Sequence, residues 1–257
     1  MRVICWNVKK SVEAKPATTR LIAELYRGEW RGVICLQEVS HAQAYDIMRC
    51  IPNAHIYHAC QIWPRSSYKR EKWGNLTILK NLSGFNPHVL PFLPHPEKSL
   101  VVTTEMNNSI WNIINFHSVT GVGHKEKKGQ QYTSLFTYLM AYRQNVILCG
   151  DMNEPKEDST NYEAIECWSR SPGNREAAEA VFKGPRTHGM VDAHIEYARA
   201  MGSQSLTPTY VNGSTKRRYD HIFVKGHKSI QYFEVRPVDK AISDHWVVRC
   251  DLAVSDA

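Results

Sequence analysis

Polar side chains able to bind a hard cation or move a proton stand directly behind apolar runs at four places. Asn7 follows Val3-Ile4-Cys5-Trp6, Glu38 follows Val33-Ile34-Cys35-Leu36-Gln37, His117 follows Ile113-Ile114-Asn115-Phe116, and Asp151 and Asn153 follow Val146-Ile147-Leu148-Cys149-Gly150. A buried strand holds the residue at its end firmly at the sheet edge, where sites are built. A carboxylate in that position can bind a divalent cation that takes oxygen ligands and keeps several waters, and Glu38 is the leading candidate. Each position alone also fits a structural role: a solvated strand end, a helix cap or, for Asp151 with Asn153, an Asx turn.

The elements that must position these residues are mostly strands. Short β-branched and aromatic runs at 2–6, 33–37, 55–62, 75–80, 99–104, 110–117, 145–149, 207–211, 219–224, 230–236 and 245–252 predict strands. Helical spacing is seen at 17–27 and 131–142, and further helices are expected at 41–50, 160–169 and 190–201. Strands outnumber helices about two to one and strict β-α alternation is lost after residue 200, so two packed sheets flanked by helices fit better than a doubly wound fold. Pro-rich 81–98 and polar 169–187 read as surface loops, and residues 1–257 as one domain.

Composition bounds the rest. The 257 residues are 42% hydrophobic, enough for a sizeable core, and 32 Lys and Arg against 25 Asp and Glu give a formal charge of +7. A polyanionic partner agrees with that excess without being required by it. The seven cysteines are scattered without a C-x-x-C pair and read as reduced core residues, which favours a reducing compartment. The start of the chain turns polar too soon for a signal peptide, and with a mean hydropathy of −0.43 no run approaches a bilayer span. A cytoplasmic protein, or a nuclear one in a eukaryote, is expected, with no secretion, no membrane insertion and no obligate protein partner.

The chain lacks Gly-x-Ser-x-Gly, a Walker loop, His-Glu-x-x-His and Gly-x-Gly-x-x-Gly. It does carry, in order, Trp6-Asn7, Gln37-Glu38, Asn115-x-His117, Gly150-Asp151-x-Asn153, Tyr219-Asp220-His221-Ile222-Phe223 and Ser243-Asp244-His245. This series resembles the endonuclease/exonuclease/phosphatase superfamily over nearly the whole chain. That superfamily includes apurinic endonucleases, pancreatic-type deoxyribonucleases, deadenylases, neutral sphingomyelinases and inositol-polyphosphate 5-phosphatases.

The resemblance implies an α/β fold, a four-layer α-β-β-α sandwich with two mostly antiparallel packed sheets. It implies Mg²⁺ or Mn²⁺ held by Glu38 with Asn7 close by and Asp244 assisting. It further implies that Asp151 and Asn153 position or activate the attacking water and contact the phosphate, with either Asp151 or a metal-bound water generating the nucleophile, that His117 holds a phosphate oxygen, and that His245, oriented by Asp220, faces the scissile phosphate. His221 departs from the tyrosine that many relatives carry there, while keeping a planar hydrogen-bonding ring. In-line attack on a phosphodiester puts negative charge on phosphoryl and leaving oxygens, which a cation, an imidazolium and amide donors can stabilise.

Peripheral residues must choose the ester. Basic clusters at Lys9-Lys10, Arg65 with Lys69-Arg70-Lys72, Lys125 with Lys127-Lys128, and Lys216-Arg217-Arg218 would grip phosphates around a cleft, with Lys9, Arg65, Lys69, Arg70, Lys127, Lys128, Arg217 and Arg218 the candidate contacts. The segment from Trp63 to Trp73 interleaves aromatic and basic residues and could stack on bases or pack on its own domain. Lysines opening a helix oppose its dipole unless an anion is expected. A metal-dependent phosphodiesterase acting on nucleic acid, with DNA favoured, is the leading expectation. A phosphomonoesterase or lipid phosphodiesterase acting on inositol phosphate or sphingomyelin-type head groups is the alternative.

Overall fold

Val3 and Cys5 face one apolar layer while Ile4 and Trp6 face another, the period-two alternation of a strand buried on both sides. The computed structural model describes residues 1–11, 13, 15–63, 73–121, 124–141, 145–168 and 172–254. Along the first half run β1 (Arg2–Asn7), α1 (Pro16–Tyr26), β2 (Gly32–Ser40), α2 (His41–Cys50), β3 (His55–His58), the single turn α3 (Ala59–Ile62), β4 (Trp73–Lys80), β5 (Gly84–His88), β6 (Ser99–Met106) and β7 (Ser109–His117). There follow α4 (Lys125–Ala141), β8 (Val146–Asp151), α5 (Pro172–Phe182), β9 (Val191–Asp192), α6 (Ala193–Ala200), β10 (Tyr210–Asn212), β11 (Thr215–Arg217), β12 (Asp220–Lys225), β13 (His227–Arg236) and β14 (Val247–Val254).

Among the described residues these strands form two six-stranded sheets, ordered β13-β14-β1-β2-β4-β3 and β5-β6-β7-β8-β12-β9, with β10-β11 as a separate hairpin. Each sheet holds one parallel pair, β1 with β2 and β7 with β8, crossed over by α1 and α4 respectively; the other pairings are antiparallel. Ile22, Ala44 and Ile47 of α1 and α2 pack on Ile4, Ile34 and Leu36 at the outer face of the first sheet. Leu135, Leu139, Val181 and Phe182 of α4 and α5 cover Ile114, Phe116 and Leu148 of the second. Val3, Cys35, Val102, Ile113, Ile147 and Ile222 fill the layer between the sheets. Burying each such aliphatic side chain contributes about 1.5–3 kcal/mol. The result is the expected four-layer sandwich.

A polar bolt crosses the inner layer. Gln37 Nε2 donates to Asn115 Oδ1 at 2.9 Å, Asn115 Nδ2 donates to the carbonyls of Leu36 and Leu76 at 3.1 and 3.0 Å, and Asn75 Nδ2 donates to the Asn115 carbonyl at 2.9 Å. All three side chains are buried. These bonds fix one register of sheet on sheet, because any slip would leave further amides unpaired in the core beside Asn75 Oδ1, which has no hydrogen-bond partner among the described residues. No disulfide joins any of the seven cysteines, and Cys5, Cys35, Cys149 and Cys250 lie in the inter-sheet layer. No described helix is long and apolar enough to cross a membrane.

Some predicted elements are corrected. The helix expected at 160–169 is a 3-10 turn at Tyr162–Ala164, and the helix lies instead at Pro172–Phe182, inside the stretch read as loop. Its Pro at the first helical position is a start signal, and Ala178, Val181 and Phe182 repeat at helical spacing; the neighbouring Ser, Gly and Asn masked both. The 81–98 loop contains the edge strand β5, which tolerates Pro87 because an edge leaves one side of the ladder free. The 55–62 strand stops at His58. The helix expected at 190–201 starts at Ala193, because the Asp192 carboxylate caps it by accepting from the His194 and Ile195 amides.

Candidate active site

Strand ends bring the predicted residues together. Asn7 ends β1, His117 ends β7, Asp151 ends β8 and Asp220 opens β12. Parallel pairing sets His117 beside Asp151, and antiparallel pairing sets Asp220 beside it on the other side. Gly150 permits this closeness: a Cβ there would lie 1.8 Å from the Phe116 carbonyl oxygen. Glu38 occupies an irregularity where the register of β2 on β4 slips between Leu36 and Val39, with a left-handed φ of 61°. Bulges of this kind re-aim a side chain at the expense of local backbone strain. The re-aimed carboxylate accepts from the Lys10 amide at 2.7 Å through Oε2, and its Oε1 stands 3.8 Å from His117 Nε2.

Asp151 Oδ2 is the hub. It accepts from Asn7 Nδ2 at 2.8 Å, while His117 Nε2 and His245 Nε2 approach to 3.6 and 3.7 Å from different elements. Asp151 Oδ1 accepts from the Asn153 amide at 3.0 Å, with Asn153 in a left-handed turn at φ 49° and its Nδ2 donating to the Ser118 carbonyl. His245 Nδ1 donates to Asp220 Oδ2 at 2.8 Å, and that same oxygen accepts from the Thr209 hydroxyl at 2.7 Å. The 243–245 segment is tied to β1, since Trp6 Nε1 donates to the His245 carbonyl and the Ser243 hydroxyl donates to the Asn7 carbonyl. Asn7, Glu38, His117, Asp151, Asn153 and His245 line a cavity of about 1200 Å³ whose walls also include Lys9, Lys10, Trp168, Tyr210, Tyr219 and Asp244.

The electrostatics separate the two histidines. Burial opposes charge on His245, but Asp220 and Asp151 outweigh it and push its pKa up to about 10. For His117, burial and the neighbouring Lys98 and His245 act together, and its pKa falls well below the ordinary 6.5. Burial raises Asp151 to about 6, with His245 opposing the rise and Asp220 adding to it. One imidazole is therefore cationic and the other neutral at pH 7, on either side of a carboxylate that is mostly ionised there.

Asp151, Asp220 and His245 place ligand-type atoms within 4.8 Å of one another. The bond from His245 Nδ1 to Asp220 Oδ2 joins these two in a hydrogen-bonded relay and engages one ring nitrogen, while Nε2 stays turned toward Asp151. The carboxylates of Glu38 and Asp244 and the amide of Asn7 line the same cavity and offer oxygen donors, the set a hard divalent cation takes. Asp244 Oδ2 lies 3.7 Å from Lys9 Nζ.

The basic candidates divide. Lys9 and Lys10 are exposed and line the cavity, Lys127 is exposed on α4, and the Arg217 guanidinium lies 5.8 Å from the centre of the Trp168 ring. Arg65, Lys69 and Arg70 lie outside the described residues. Arg218 is corrected: only 4% exposed, it is clamped between Asp158 and Asp192 at 2.6 Å to each, and Asp192 also bonds His221 Nδ1 at 2.9 Å. It braces β12 and does not reach the cavity. Lys128 is partly corrected, for although it lines the cavity its ammonium is neutralised by buried Glu154 at 2.7 Å and bonds the Asn153 carbonyl at 2.8 Å. The helix-start lysine thus finds its anion within the chain.

Sequence reasoning missed Lys98, Thr209, Glu154 and Tyr210. Lys98 Nζ sits 3.0 Å from His117 Nδ1, and the Tyr210 ring centre lies 4.9 Å from that of His245. None stands behind an apolar strand in a recognisable pattern. The Glu154 carboxyl, raised to about 7 by burial against the opposing pull of Lys128, had the one available signal, a carboxylate three residues beyond Asp151.

No curated protein sequence matches the chain. Among solved structures it is similar in fold to zebrafish (D. rerio) TDP2 complexed with single-strand DNA product, at 15% identity and TM-score 0.69, covering 97% of each chain. The human nocturnin catalytic domain with bound sulfate is similar at 16% identity and TM-score 0.67, over 99% of this chain and 94% of that one. An endonuclease/exonuclease/phosphatase from Bacteroides vulgatus is similar at 14% identity and TM-score 0.69, over 99% and 98%. The family model described as Endonuclease/Exonuclease/phosphatase family matches residues 4–245, from the first strand to the histidine of the relay, and the chain belongs to that family of phosphoester hydrolases.

Proposed function

We propose that the chain is a divalent-metal-dependent phosphodiesterase that hydrolyses nucleic acid, DNA in preference to RNA, by in-line attack of water. The observation that carries this reading is the convergence of Asn7, His117 and His245 on Asp151 Oδ2 at 2.8, 3.6 and 3.7 Å in a cavity open to solvent cations. Asp151, with a pKa near 6, is matched to take a proton from water at neutral pH, and Asn7 and the Asn153 amide hold its orientation. Both Nε2 atoms lie on the side of that base. From there they would grip phosphoryl oxygens rather than protonate a leaving oxygen opposite the incoming water.

His245, held cationic by Asp220, would stabilise charge on the phosphoryl group, and neutral His117 would add a hydrogen bond. Glu38, Asn7 and Asp244 would hold Mg²⁺ or Mn²⁺, which when bound supplies positive charge to the phosphoryl and leaving oxygens. Two further points support a polynucleotide substrate: exposed Lys9 and Lys10 line the cavity of a chain with net charge +7, and the similar TDP2 structure holds a single-strand DNA product.

The test is cleavage of supercoiled plasmid, linear duplex, single-stranded DNA and RNA with Mg²⁺ or Mn²⁺, beside phosphate release from inositol phosphates. His245→Ala serves as the contamination control. Polynucleotide cutting that disappears in the variant supports the proposal. Turnover of phosphomonoesters with silence on every nucleic acid overturns it.

A further inference from the structure

We propose that Lys98 is a positioning residue that fixes the tautomer of His117, so that its ring presents Nε2–H to the cavity. Lys98 lies in the 3-10 turn Pro96–Lys98, ahead of β6. Its backbone is anchored at both ends: its amide donates to the His95 carbonyl at 3.0 Å, and its carbonyl accepts from Asn75 Nδ2 at 2.9 Å. Asn75 Nδ2 also reaches the Asn115 carbonyl, two residues before His117 on β7. The turn is therefore locked to the strand that ends in His117, and the half-buried lysine can reach the ring.

The chemistry of the contact decides the tautomer. Lys98 Nζ lies 3.0 Å from His117 Nδ1. An ammonium has three donors and no acceptor, so Nδ1 must offer its lone pair. A neutral imidazole carries one proton, which is then on Nε2. That nitrogen stands 3.8 Å from Glu38 Oε1 and 3.6 Å from Asp151 Oδ2, facing the cavity. His245 is oriented by the opposite means, with carboxylate Asp220 accepting from its Nδ1. A cation orients one ring and an anion the other, and both turn Nε2 toward Asp151.

The experiment is two-bond ¹H–¹⁵N NMR of the histidine rings in the wild type and in Lys98→Met and Lys98→Arg variants, with no substrate present. This readout stands whether or not the chain hydrolyses nucleic acid. The expected wild-type pattern for His117 is an unprotonated Nδ1 and a protonated Nε2. Lys98→Met should move both nitrogens toward exchange-averaged values, Lys98→Arg should keep the wild-type pattern, and His245 should be unmoved. On single-stranded DNA with Mg²⁺, Lys98→Met should lower kcat about 10–100-fold with KM little changed, and Lys98→Arg should recover it. A protonated Nδ1 in the wild type, or a Lys98→Met spectrum identical to it, overturns the proposal. If Lys98→Met fails to fold, the wild-type and Lys98→Arg spectra still decide.

Discussion

His245 and Asp220 share a 2.8 Å hydrogen bond although they come from different segments, one preceding β14 and the other opening β12. The bond holds the ring so that Nε2 points at Asp151, and it keeps the imidazole protonated in a buried position. Asp220→Asn retains the shape but removes the charge. Turnover should fall by roughly 10³–10⁴-fold, as when a carboxylate orienting a catalytic histidine is lost. Circular dichroism and melting temperature close to wild type, together with single-turnover rates, check this.

The pH dependence of kcat/KM should be bell-shaped. Asp151 must be ionised to accept a proton, so activity rises with pH through about 6; His245 must remain protonated, so activity falls as pH rises through about 10. A profile from pH 5 to 10.5 on a nucleic-acid substrate measures both limbs. The same shift acts on stability. His245 has a folded pKa above its unfolded value of 6.5, so its contribution is complete below about 6.5 and is lost as pH rises toward 10. Urea titrations at pH 6 and pH 9.5 would detect that loss.

Arg218→Ala should unfold the protein more readily without changing how it grips a polyanion. The guanidinium is clamped by Asp158 and Asp192 with almost no exposure, so its removal leaves the buried Asp192 carboxylate without its cation, held only by His221 and backbone amides, and costs about 3–5 kcal/mol. Denaturant midpoints should fall accordingly. The salt dependence of DNA binding should stay as in the wild type.

Lys9→Ala and Lys10→Ala should do the reverse. Both residues are exposed at the cavity rim, so each substitution should leave the melting temperature nearly unchanged and lower the slope of log K against log salt by about 1 if it contacts a phosphate. Fluorescence anisotropy with labelled single-stranded DNA at several salt concentrations measures the slope.

Glu38→Ala should raise the Mg²⁺ or Mn²⁺ concentration needed for half-maximal activity and weaken metal binding to the free protein. Isothermal titration of the metal into the wild type and the variant separates this from a change in DNA affinity. Equal metal affinity in the two proteins would remove Glu38 from the cation site.

What was legible in the sequence was whatever a strand's own periodicity dictates. Alternation in Val3-Ile4-Cys5-Trp6 and Ile147-Leu148-Cys149 follows from the two-residue repeat of the pleat, and a polar residue directly after such a run falls at a strand end or, as Glu38 does, at an interruption of the ladder. Asn7, Glu38, His117, Asp151 and Asn153 were found that way, and the ordered motifs added Asp220, Asp244 and His245. Tertiary structure alone decided which neighbours those residues met. Thr209 reaches Asp220 and Lys98 reaches His117 because loops fold back over the strand ends, and a loop carries no periodic signature. The fate of the basic residues was equally hidden, for Arg218 and Arg217 are adjacent in sequence yet one is buried between two aspartates and the other stacks on Trp168. A charge in a sequence does not state its partner. Only the packing of distant elements fixes whether another residue of the chain has already neutralised it.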